Sequence, residues 1–203
     1  METPITSFNF RIRHILPGWI GILILLLLAC PAKTGESAYM NDHNNPTEFE
    51  LKATYLYNFL KFIKWPENQC NLHQGRSTMI SVLGESPFNQ VLKNMQEKLR
   101  QIDSDLELTF YGPYREDMEF TCCCLMFIAA SEHHNMPLIM EKLTGKPILT
   151  VSEENGSVNQ GVMITLVEKN KKIRWVINRG PVSRSGLHLS AKLFDIAAKV
   201  IDE

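Results

Sequence analysis

The chain has 203 residues, is 44% hydrophobic, and sets 21 Lys and Arg against 22 Asp and Glu for a formal net charge of −1. A near-neutral chain without a basic block lacks the electrostatic footprint that nucleic acid demands, which argues against DNA or RNA as a partner. The length suffices for one domain with a real core.

At the N-terminus Arg11 and Arg13 precede an apolar run from Trp19 through Ala29, followed by Cys30. That run is shorter than the roughly 20 apolar residues a membrane-crossing helix needs, and it fits the apolar core of a secretory signal. The sequence therefore predicts export. Leu27, Leu28, Ala29 and Cys30 resemble a lipobox, which would make Cys30 a lipidated first residue of a membrane-anchored protein. Cys30 and Ala32, both small and two apart, also suit an ordinary signal peptidase, and an uncleaved anchor is the third reading. Loss of residues 1–29 removes Glu2, Arg11 and Arg13 and moves the formal charge from −1 to −2. The stretch KTGESAYMNDHNN at 33–45 has few large apolar residues and no periodicity. It reads as a flexible leader. The expected organisation is a signal at 1–30, a leader at 31–46 and one domain at 47–203.

After Pro46 and Thr47, the residues Leu51, Tyr55, Leu56, Phe59, Leu60 and Ile63 recur at three- and four-residue spacing. They predict an amphipathic helix that stops before Trp65 and Pro66. MISVL at 79–83 is a compact apolar strand closed by Gly84, with Ser86 and Pro87 placed as N-cap and first helical residue. The next helix puts Phe88, Val91, Leu92, Met95, Leu99 and Ile102 on one side. Leu106, Leu108 and Phe110 then alternate as a half-buried strand ending at Gly112 and Pro113. Residues 123–129 read as a strand buried on both faces, followed by a helix capped by Ser131 and running through Leu143, then a short strand at 148–151. Alternating strand and helix argues for a mostly parallel sheet. Val162, Ile164 and Leu166 are answered by Ile173, Trp175 and Ile177 across a polar turn at 168–171, which predicts a β-hairpin. Ser185 or Ser190 then opens a last helix with Leu189, Leu193, Ile196, Ala197 and Val200 inward.

Cys70, Cys122, Cys123 and Cys124 remain in the exported chain. Neighbouring cysteines of a strand point to opposite faces and pair badly, so at most one long-range disulfide is expected, from Cys70 to a member of the triplet, with Cys122 and Cys124 as candidates. Such a bridge would be worth about 4 kcal/mol in the chain-entropy description. The alternative is that inward-facing triplet members are small buried hydrophobes.

Patterns that carry catalysis are absent: there is no G-x-S-x-G, P-loop, H-E-x-x-H or G-x-G-x-x-G. That moves the expectation from enzyme toward binding module. Gly84 to Pro87 lies where α/β folds hold anions, but it has a single glycine and Glu85 stands in the anion's place, so it reads as a turn and cap. His133 and His134 lack the paired spacing of a zinc site and read as a solvated helix start. Ser190 and Lys192 fit a helix N-terminus and its exposed side rather than a nucleophile and base. The charges from Lys169 to Arg174 fit a solvated hairpin tip. Trp65 before Pro66 is either a core plug or a contact anchor.

Several blocks in series resemble the YfiR-like periplasmic proteins: KATYLYNFLKFIKWPE at 52–67, ISVLG at 80–84, CLMFI at 124–128, ILTVSE at 148–153, GVMITLV at 161–167, IRWVIN at 173–178 and SGLHLSAKLFDIA at 185–197. The resemblance runs from about residue 48 to the C-terminus. It implies a Rossmann-like three-layer α/β/α sandwich without a nucleotide fingerprint, with a mostly parallel sheet, a C-terminal hairpin and a final helix. It also implies a non-enzymatic, cofactor-free, often dimeric regulator that represses an inner-membrane diguanylate cyclase by binding its periplasmic part, and that an outer-membrane lipoprotein relieves. Two departures stand out: Gly161 is followed by Val162 where relatives commonly pair glycines, and no cysteine follows Cys124. The second removes residues on which a redox response in the C-terminal half would rest.

The expected function is a periplasmic regulator that acts through an apolar surface, with Trp65, Pro66, Leu187 and Leu189 as partner-contact candidates. An alternative is a periplasmic solute-binding protein using the crevice near Gly84, Ser131 and Ser152. A third is a hydrolase with an unrecognised site.

Overall fold

A computed structural model describes residues 47–66, 78–102, 105–120 and 124–203. Helix α1 (Glu48–Lys61) starts on Thr47, whose side chain accepts from the Glu50 N–H while the Glu50 carboxylate accepts from the Thr47 N–H, a reciprocal capping box. The backbone hydrogen bond from Thr47 is the largest influence on Glu50 and holds its carboxyl below the ordinary 4.5. Strand β1 (Ile63–Lys64) follows directly, then β2 (Thr78–Leu83), α2 (Pro87–Ile102), β3 (Leu106–Gly112) and β4 (Leu125–Ile128). Helix α3 (Met136–Leu143), β5 (Leu149–Ser152), β6 (Ile164–Lys169) and β7 (Lys172–Asn178) come next. The chain finishes with α4 (Arg179–Ser185), β8 (His188–Leu189), α5 (Ala191–Asp195) and β9 (Lys199–Ile201).

Seven strands form one sheet in the order β3-β2-β4-β5-β6-β7-β9, and β1 and β8 make a separate two-stranded ribbon. Pairing is parallel from β3 to β6, antiparallel between β6 and β7, and parallel again between β7 and β9. Period-two alternation divides the central strands between two cores. Leu125 and Phe127 join the cluster under α1 and α2, while Met126 and Ile128 join the cluster under α3. This is the three-layer sandwich, with the sheet between helices. Trp175 locks one end of it: its ring meets Tyr55 and Phe59 edge-on at 5.4 and 5.3 Å, and its Nε1 donates to the Leu193 carbonyl at 3.0 Å. Among the described residues no helix is long and apolar enough to cross a membrane.

Three sequence expectations need correction. Ser131 caps no α-helix; residues Ala130–Glu132 form a 3-10 turn, and α3 begins after Asn135 with Pro137 in its first turn. Proline has no N–H to lose there, whereas the Ser131 hydroxyl is engaged elsewhere. The hairpin turn is tighter than 168–171, because Asn170 and Lys171 alone carry positive φ, 55° and 57°, and Glu168 and Lys169 belong to β6. Both central residues of a type I′ turn need that conformation. Finally, the last helix is short. Ser190 precedes a five-residue helix, Ile196 is 53% exposed, and Val200 lies in a strand. The Ala198 N–H donates to the Trp175 carbonyl at 2.7 Å, so pairing with β7 overrides the helical spacing. Helix α4 and strands β1, β8 and β9 were not foreseen, and Ile63, expected on the first helix, lies in β1 because it pairs with Leu189.

Candidate functional site

The β1–β8 ribbon brings distant segments together. Ile63 stands opposite Leu189 and Lys64 opposite His188, and the Ser190 N–H donates to the Phe62 carbonyl at 2.8 Å. Trp65 and Pro66 leave β1 as Leu187 enters β8, so all four predicted contact residues converge on one region. They are not equivalent. Leu187 is 3% exposed and packs inside the core, so a surface contact is closed to it. Trp65, Pro66 and Leu189 are half-buried, and Trp65 and Leu189 pack on the margin of the larger core cluster. Trp65 thus combines the two roles weighed for it, its body against the core and part of its ring in solvent. Its Nε1 is buried without a hydrogen-bond partner among the described residues. Gly186 makes the junction: its φ of +74° is left-handed, and a Cβ there would come within 3.3 Å of Pro66 Cγ.

A groove of about 420 Å³ runs along the ribbon, lined by Lys61, Phe62, Lys64, His188, Leu189 and Lys192 among others. Ser190 and Lys192 lie here, the serine holding the ribbon through its backbone and the lysine at the groove wall.

The crevice at the carboxyl ends of the strands has a different character, because the chain's own side chains fill it. The Glu85 N–H donates to Ser131 Oγ at 2.9 Å, and the Ser152 hydroxyl accepts from the Glu154 N–H at 3.0 Å. Glu132 is 3% exposed, and its carboxylate accepts from the Tyr114 N–H at 3.3 Å, from Asn135 Nδ2 at 3.0 Å and from Ser131 Oγ at 3.4 Å. A Cβ at Gly84, whose φ is +91°, would meet Ser131 Oγ at 2.6 Å and Glu132 Cγ at 2.7 Å. Beside it, Glu153 accepts from Ser86 Oγ at 3.0 Å and from Lys52 Nζ at 2.7 Å, and Lys52 also pairs with Glu48 at 2.7 Å. Burial pulls the Lys52 pKa down, but the hydrogen bonds that its ammonium donates to the Glu153 and Glu48 carboxylates outweigh it and leave the pKa above the ordinary 10.5. The groups named for solute binding are therefore satisfied from within.

Lys52, Glu132 and Glu153 were missed as the fillers of this crevice. A signal existed for Lys52, since it precedes Leu56, Phe59 and Leu60 on the apolar spacing of α1 and interrupts it with a charge. Glu132 gave none.

His133 and His134 are exposed, with ring centroids 3.7 Å apart, and His133 Nδ1 lies 3.2 Å from the Ala130 carbonyl. Among the described residues no cluster of His, Cys, Asp or Glu has the makings of a metal site. Cys124 is 3% exposed and disulfide-bonded. Cys30, Cys70 and Cys122 lie outside the described residues, as do the signal and the leader.

A family model described as YfiR/HmsC-like matches residues 49–198. Comparison with curated proteins gives no match.

Proposed function

Since the chain belongs to the YfiR/HmsC-like family, we propose that it is an exported periplasmic regulator that restrains a membrane-bound diguanylate cyclase by protein–protein contact. The observation that carries this reading is the convergence of Trp65, Pro66 and Leu189 on one half-buried face around the β1–β8 ribbon. Half-exposed aromatic and aliphatic side chains backed by a rigid core make good contact anchors, because little conformational entropy is lost when a partner covers them.

Binding to one conformation of the cyclase would shift its population toward the inactive form, so repression needs no chemistry from this chain. Its action on cyclic di-GMP is indirect. The same proposal includes residues 1–30 as the export signal, residues 31–46 as a leader and residues 47–203 as the acting domain. It makes Cys30 a lipid attachment point, and, of the candidates Cys122 and Cys124, it makes Cys124 the partner of Cys70. It also includes a homodimer and relief by an outer-membrane lipoprotein.

The test is the cellular cyclic di-GMP level after deletion of the gene. A rise that the intact gene reverses supports the reading. An unchanged level in cells that express the chain contradicts it.

A further inference from the structure

The groove along the ribbon carries a charge that the rest of the chain does not share. Lys61, Lys64 and Lys192 line it together with His188, and no acidic residue does. Three lysines give it +3 with histidine neutral, whereas the whole chain carries −1, so the remainder carries −4. None of the three is in an ion pair among the described residues. Lys61 instead lies 4.3 Å from the centroid of the Tyr57 ring, which orients the ammonium and leaves its charge in place. Lys61 ends α1 and Lys64 lies in β1 directly after it, and the β1–β8 pairing brings Lys192 of α5 to them. Apolar Phe62, Ile63 and Leu189 lie among them.

We propose that this groove receives an extended acidic segment of a protein partner, its carboxylates against Lys61, Lys64 and Lys192 and an apolar side chain against Phe62 and Leu189. The proposal rests on the contact reading above and specifies its chemistry. An extended segment suits the site because, among the described residues, the ribbon consists of two short strands, β1 and β8, to whose outer edges a third strand can add. A bilayer surface suits it less. The charges surround a concavity, and the large apolar side chains exposed among the described residues, Leu138 and Ile196, do not line it.

The test uses the intact exported chain and three probes: a short synthetic peptide alternating Glu and Val, its Gln and Val counterpart, and vesicles containing phosphatidylglycerol. Binding is followed by Trp fluorescence and repeated with K64E/K192E, whose exposed positions leave the fold intact, as circular dichroism checks. The Glu peptide is expected to bind at least about tenfold tighter than the Gln peptide, to lose a similar factor in K64E/K192E, and to weaken with added salt. Equal binding of the two peptides, no binding of either, undiminished binding to K64E/K192E, or preference for the vesicles overturns the proposal. Capture of a membrane partner by the same intact protein is a separate measurement, so contact without acidic selectivity would fell this inference alone.

Discussion

Lys52 and Glu153 meet at 2.7 Å although 101 positions separate them in sequence, joining α1 to the carboxyl end of β5. Their side chains are 9% and 13% exposed, so neither charge is well hydrated without the other. Removing one partner of such a pair strands the other, whereas replacing both with apolar groups does not. K52M is therefore expected to cost about 2 kcal/mol in urea denaturation, and K52M/E153L to recover most of it. The raised pKa of Lys52 fixes the pH dependence. A folded value above the unfolded 10.5 gives stability that is fully present below pH 10.5 and is lost as pH rises through the folded value. The gap between wild type and K52M is thus expected to stay constant through neutral pH and to shrink only in strong alkali.

Gly84 and Gly112 separate two causes of glycine dependence. Both have positive φ, +91° and +70°, but a Cβ at Gly84 would run into Ser131 and Glu132 while one at Gly112 would meet nothing within 4 Å. G112A is expected to lose about 1 kcal/mol, the cost of the backbone conformation alone. G84A should lose at least about twice that. Equal losses by chemical denaturation would mean the crevice is looser than the contacts indicate.

Lys171 holds a φ of 57° at the second central position of the β6–β7 turn. Glycine adopts that conformation without the steric cost of a Cβ, so K171G is expected to stabilise the domain by about 0.5–1 kcal/mol. Thermal denaturation checks it, with a rise in Tm as the expected sign.

The filled crevice has its own test. Glu132 and Glu153 occupy the region where an α/β protein would seat an anion, so inorganic phosphate and small metabolites are expected to leave Tm unchanged. A reproducible, concentration-dependent rise with one solute would revive the solute-binding reading.

Much of the architecture was legible because its signals are local. Continuous apolar runs such as LMFI, and the three- and four-residue spacing of Leu56, Phe59 and Leu60, report burial directly. What failed depended on distant backbone partners. The spacing of Leu193, Ile196, Ala197 and Val200 is helical, yet the Trp175 carbonyl draws the Ala198 N–H into strand pairing. The site was legible only in part for the same reason. Trp65 and Leu189 were named from sequence, but the lysine groove that Leu189 lines depends on the pairing of Lys64 with His188. Leu187 was named as well, and its burial shows that an apolar residue in a short segment does not reveal which way it faces.

Recovery from detergent-solubilised envelope, with the intact chain as bait and mass spectrometry as readout, measures the contact itself. The paired bait is W65A/L189D, first shown to be folded by circular dichroism. A membrane diguanylate cyclase is expected with the wild-type bait and is expected to fall at least about tenfold with the variant, since the anchors of an interface carry most of its energy. Equal recovery by both baits, or no cyclase with either, would contradict a regulator that works through the β1–β8 face.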